Sequence, residues 1–177
     1  GSAVKRTQRD EDVTSSSVAF RAQLELAYGC WHRAEGTAHA PEAWFKILYD
    51  ATAQEAATAQ EMAALSAFAF VERIERFTEE AAAALKRPEA DCVMVHCLQT
   101  LNEQALATPE SANGYLRQVR HHFRDCYGMR GKLVMFPLRA ALTGTMIGPC
   151  LGVVTSLLGC ERCRQRLEVR VHDATSG

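Results

Sequence analysis

Between residues 111 and 127, Arg117, Arg120, His121 and Arg124 recur at three- and four-residue spacings. At roughly 100° per residue they share one face of a helix. Tyr115, Leu116, Val119, Phe123, Cys126 and Tyr127 share the opposite face, and Asp125 is the single acid in the stretch. Guanidinium forks match phosphate oxygens, so this stripe suits a phosphodiester backbone. An ordinary solvated helix face shows the same pattern and is the alternative. Arg130 and Lys132 continue the positive field past a Gly128/Gly131 turn. Arg162, Arg166 and Arg170, four apart, form a second stripe, weakened by Glu161 and Glu168.

Other reactive types are present without organisation. Cys160-Glu-Arg-Cys163 is a lone CxxC. A structural zinc site takes four ligands, commonly two such pairs, so no metal is expected there. His32, His39, His96 and His172 show no ligand spacing. There is no Walker-type phosphate loop and no organised nucleophile, so no catalytic residue and no cofactor are expected.

The elements that position the stripe read as helices. Phe20, Leu24, Ala27, Tyr28 and Trp31 mark a helix over 18–34, and Trp44, Phe45, Leu48 and Ala51 a second beginning at Pro41 or Glu42. Thr58-Ala-Gln-Glu61 reads as a capping box opening a helix that carries Met62, Leu65 and Phe68. A charged, alanine-rich helix is expected over 71–86, stopping before Pro88. Val93, Cys97, Leu98, Leu101 and Ala105 mark the next. Thr108-Pro109 opens the basic helix, which Gly128 closes. No period-2 alternation persists, so the expected fold is all-α with seven to nine helices.

Of the 177 residues, 47% are apolar, enough for a core, and no apolar run is long enough to span a bilayer. The seven cysteines, an odd number in a chain of this length, suit a reducing compartment. Gly1-Ser2 resembles a tag remnant, so the chain reads as a fragment of something larger. The expected organisation is a disordered tag remnant and linker over 1–17, a helical subdomain over 18–88, a second over 89–171, and a tail over 172–177. Net charge is −1, but residues 1–110 carry ten Lys and Arg against seventeen Asp and Glu, while residues 111–171 carry ten against three. Such asymmetry hints at a polyanionic partner.

The segment "GKLVMFPLRAALTGTMIGPCLGVVTSLLGCERCRQRLE" resembles the C-terminal anticodon-binding domain of bacterial-type glutamyl-tRNA synthetases. The match rests on the Gly-Lys turn, the Pro-Leu-Arg-x-Ala-Leu-Thr-Gly run, Pro-x-Leu, and the Leu-Gly-x-Glu-Arg to Arg-Leu end, from Gly131 to Leu167. "WFKILYDATAQEAATAQEMAALSAFAF", residues 44–70, resembles the family's first anticodon-binding helices more loosely. The resemblance implies a two-subdomain helical cage and tRNA as partner, with anticodon contacts at Arg139, Gly148, Pro149 and Leu151. The backbone would then lie on Arg117, Arg120, Arg124, Arg130 and Lys132. It implies a bacterial cytoplasm, or a chloroplast or mitochondrial matrix. Physically, Pro137 suits a first helical turn, Gly144 ends that helix, and Pro149 starts the next. The free N–H groups there suit a phosphate or base acceptor, and Pro149 and Leu151 offer apolar surface to an unstacked base. Cys160 stands where the family often has lysine. No HxGH-like or KxSK-like catalytic motif occurs, so no adenylate chemistry is expected of these residues. The alternative is the same fold reused as a protein- or RNA-interaction module in a larger organellar complex.

Overall fold

A computed structural model describes residues 16–175 of the chain, with side-chain burial through residue 171. The expected N-terminal linker and C-terminal tail therefore lie mostly outside the described residues. Among these there are nine helices and no strand. They are α1 (residues 16–28), α2 (Pro41–Ala53), α3 (Ala59–Leu65), α4 (Ala67–Phe70), α5 (Glu79–Leu85), α6 (Ala90–Thr100), α7 (Pro109–Tyr127), α8 (Gly131–Thr143) and α9 (Leu151–Thr175).

The all-α expectation is met, and the strongest local signals fall where they were read. Thr108 caps α7: its Oγ1 accepts from Ser111 N at 3.0 Å, while its own N–H donates to Ser111 Oγ at 3.1 Å. Gly128, at φ 65°, closes the helix and donates to Arg124 O at 2.9 Å. Thr58 accepts from Glu61 N at 3.1 Å, but Glu61 reaches back to Ala57 N rather than Thr58 N, so that capping box is half made. α1 ends at residue 28, short of Trp31; Phe20 and Leu24 are buried, whereas Ala27 is exposed.

One core runs from Phe20 to Leu167. α9 lies along its centre, packed on α7, α6, α8 and α2. Trp44 is fully buried and donates from Nε1 to Leu157 O at 2.8 Å, tying α2 to α9. α9 is not continuous: Gly159 breaks it with φ 80° and ψ 166°, far from helical values.

Three expectations fail for tertiary reasons. Residues 71–78 are not helical; only Glu79–Leu85 of the expected 71–86 helix forms. Their backbone groups have other partners. Val71 O accepts from Arg166 Nη2 at 2.8 Å, and Thr78 N donates to Gly144 O at 2.9 Å. Arg162 and Arg166 do not form a surface stripe. Arg162 donates to Ala69 O at 2.7 Å, and Arg166 is 6% exposed and donates to Leu142 O at 2.6 Å. Pro137 sits in the interior of α8, not its first turn, with Val134 and Leu138 buried around it. Burial of that face outweighs the lost helical N–H.

Histidine adds a pH dependence. His96 of α6 stacks on His122 of α7, ring centroids 4.2 Å apart at 10°. The Phe123 and Tyr127 rings and Cys126 Sγ, 3.8 Å from His122 Nδ1, complete the cluster. Burial, then the facing His122, lowers the His96 pKa below its ordinary 6.5. A base whose folded pKa is depressed contributes stability that is full above the unfolded value and falls with pH through the folded one. His39 is lowered likewise by burial. The thermal midpoint is therefore expected to fall as pH drops below about 6.5. In His122→Gln that fall should be shallower; an identical pH profile in the variant would show that the stack contributes nothing.

Candidate nucleic-acid interface

α7 presents its basic face as the spacing requires. Arg117 and Arg124 are exposed and Arg120 is half-buried. Tyr115, Leu116, Val119 and Phe123 are buried on the other face, while Cys126 and Tyr127, grouped with them by period, are exposed where the helix runs past the core. Arg124 pairs with Asp125 at 3.1 Å on the surface. Arg130 and Lys132 are exposed at the start of α8. The stem of Arg120 reaches over Gly131, where a Cβ would stand 3.4 Å from Arg120 Cδ, so the stripe continues from α7 onto α8.

The turn between α8 and α9 is held from below. Gly144, at φ 75°, closes α8 and lies so near the 71–78 segment that a Cβ would stand 2.6 Å from Arg76 O. Thr143 Oγ1 donates to Arg139 O at 2.8 Å, and Thr145 Oγ1 donates to Ile147 O at 2.8 Å. Gly148 follows at φ 124°. α9 starts at Leu151, and its first i→i−4 bond inward is Val154 N to Cys150 O at 3.0 Å, which leaves the N–H groups of Leu151, Gly152 and Val153 outside the helical ladder.

Arg139 is half-buried on α8, within electrostatic reach of Cys150 and Glu55, and burial pulls its pKa down. Its Nη1 is buried with no hydrogen-bond partner among the described residues. A buried guanidinium nitrogen without an acceptor is costly, a condition that Arg162 Nη1 and Arg166 Nε share inside the fold. Pro149 and Leu151 are buried, so they shape the turn from inside instead of offering their faces to a base. The exposed apolar side chain is Ile147, 71% exposed at the tip. Its signal in the sequence was an isolated branched residue directly before Gly148-Pro149.

The stripe and the turn adjoin. Asn113, one helical turn before Arg117, rests its side chain against Gly152 in the first turn of α9. Elsewhere, a cleft of about 830 Å³ opens between the 71–78 segment, α8 and α9. Its walls mix Glu72, Glu75 and Glu168 with Arg73, Arg166 and Arg170, a balance that gives a polyanion no net attraction. Among the described residues no group of three or more His, Cys, Asp or Glu is arranged to hold a metal. Cys160 and Cys163 are buried, and burial pushes the Cys163 thiol up to about 12. No described helix is long and apolar enough to cross a membrane.

A family model described as an anticodon binding domain matches residues 22–171. Glutamate–tRNA ligase 2 of Syntrophus aciditrophicus is 38% identical over 98 residues, which are 55% of this chain and 19% of that protein. The glutamate–tRNA ligase of Geobacillus thermodenitrificans is 27% identical over 130 residues, 73% of this chain and 26% of its own. The chain thus spans about a fifth of the length of the curated relatives it matches. The crystal structure of a glutamate tRNA ligase from Elizabethkingia meningosepticum, in complex with its amino acid, matches with a TM-score of 0.66. That match covers 92% of this chain and 30% of the other at 19% identity, a likeness of fold.

Proposed function

Because this chain belongs to the family of anticodon-binding domains, we propose that it holds the anticodon loop of a tRNA within a glutamate–tRNA ligase or a paralogue of one. Arg139 and the Gly148–Leu151 turn meet bases. Arg117, Arg120, Arg124, Arg130 and Lys132 meet phosphates. Glutamate tRNA is the substrate class to which the relatives' names point. The observation that carries this reading is the match of residues 22–171 to anticodon binding domains, together with the exposed basic face of α7 that continues onto Arg130 and Lys132. Phosphate contacts place the loop, and splayed bases are read by polar groups and apolar surfaces. Pro149 and Leu151 act here by fixing the backbone, and Ile147 supplies the platform.

The test is tRNA binding by this chain at fixed salt. The wild type is expected to bind in the micromolar range, roughly, with steep salt dependence, since few phosphate contacts are available. Arg117→Ala and Arg124→Ala should each weaken glutamate and other tRNAs alike and flatten the salt slope by about 0.7 to 0.9. Arg139→Ala should instead reduce the preference for glutamate tRNA, about tenfold for one lost base contact. Leu151 is left alone because it is 7% exposed and its truncation would read out stability. Equal losses on every tRNA in all three variants would reject the anticodon assignment.

A further inference from the structure

We propose that Asn113 reads one base of the bound RNA, and that Gly152 is glycine in order to hold the Asn113 carboxamide where it can do so. This rests on the RNA-binding reading above. Gly152 lies inside α9 with no positive φ, so its backbone does not require glycine. Glycine is unfavourable in a helix relative to alanine. What the missing Cβ provides is space: the volume it would fill is taken by Oδ1, Cγ and Nδ2 of Asn113.

An exposed asparagine ordinarily rotates freely in water. Here the Asn113 side chain is exposed yet braced against the Cα of Gly152, and among the described residues no hydrogen bond engages its amide. A carboxamide sets a donor and an acceptor side by side, the pattern that pairs bidentately with the edge of an unstacked base. Its neighbours suit that task. The N–H groups of Leu151, Gly152 and Val153, outside the helical ladder, lie at the same helix start, and Arg117 follows one turn along α7 for the adjoining phosphate.

The experiment measures this chain against a set of anticodon stem-loop hairpins that differ one loop base at a time, by fluorescence anisotropy at one salt concentration. Wild type, Asn113→Ala, Asn113→Asp, Gly152→Ala and Arg139→Ala are compared, with thermal melts to confirm folding. Asn113→Ala and Gly152→Ala are expected to flatten base preference about tenfold at the same single loop position, leaving the Arg139-dependent position intact. Gly152→Ala guards against a folding artefact, because the three atoms nearest the added methyl group all belong to the exposed Asn113 side chain. Asn113→Asp should turn the preference at that position toward guanine, whose N1–H and N2–H both donate to a carboxylate. Unchanged preferences in the Asn113 and Gly152 variants, with the Arg139 effect present, overturn this inference and leave the RNA-binding reading standing. Uniform weakening on all bases also overturns it, since that is phosphate contact. A wild type that binds with no base preference removes the anticodon assignment and this inference together, and one that does not bind removes the RNA-binding reading as well.

Discussion

Gly159→Ala is expected to cost about 3 kcal/mol or more and to lower the thermal midpoint by roughly 6–12 °C. Gly159 interrupts α9 at φ 80° and ψ 166°, a region that side-chain-bearing residues essentially do not occupy. The strain is compounded by crowding. A Cβ at 159 would collide with the carbonyl oxygen of Gly36 and stand 3.2 Å from its carbon, and backbone cannot swing aside. Gly29→Ala separates the two effects, since φ is 75° there and nothing lies within 4 Å. It should lose only about 1–2 kcal/mol. Differential scanning calorimetry of the two variants measures the difference; equal midpoints would show that the approach of the Gly36 loop to α9 carries no energetic weight.

Arg166→Ala should be nearly as damaging, about 3 kcal/mol by urea titration. Its guanidinium links two segments distant in sequence, through Leu142 O at 2.6 Å and Val71 O at 2.8 Å. Truncation leaves Leu142 O without this donor, leaves Val71 O with only the longer 3.4 Å bond from Arg162, and opens a void on the α9 side of the core. Burial of the charged group is itself unfavourable, which is why its pKa is drawn down to about 10. Arg166→Lys should recover only part of the loss, because one ammonium on a flexible stem does not reproduce the planar fork that spans both oxygens. Full stability in Arg166→Lys would show that charge alone, without the fork, suffices.

The same two positions mark where the sequence is legible and where it is not. α7 was readable because every local signal agrees: Thr108 and Pro109 at its start, an uninterrupted apolar face, and Gly128 at its end. The all-helical fold and the resemblance to glutamyl-tRNA synthetase anticodon-binding domains were legible too, the latter because spaced glycines, prolines and an arginine agree from Gly131 to Leu167. Arg162 and Arg166 misled because four-residue spacing fits a solvated face and an inward-bonded one equally well. Only the 69–71 carbonyls left open by a non-helical segment decide between them. That segment, in turn, has the composition of a helix and loses it to partners far along the chain. Within the site, the Gly148–Pro149 turn was readable from its punctuation. The burial of Leu151, the exposure of Ile147 and the fit of Asn113 on Gly152 depend on how α7, α8 and α9 meet, which no local window contains.

Arg33, Arg162 and Arg166 each donate to main-chain oxygens, at Ala69, Phe70, Val71 and Leu142. The ion pairs among the described residues, such as Arg21–Glu42 and Arg124–Asp125, involve none of the three. Ions in solution screen exposed charges and scarcely reach buried dipoles. The cations that build the molecule and the exposed cations proposed for RNA therefore answer to ionic strength separately. Concentrated salt should elute this domain from a heparin or RNA column in its native conformation, ready to rebind on dialysis.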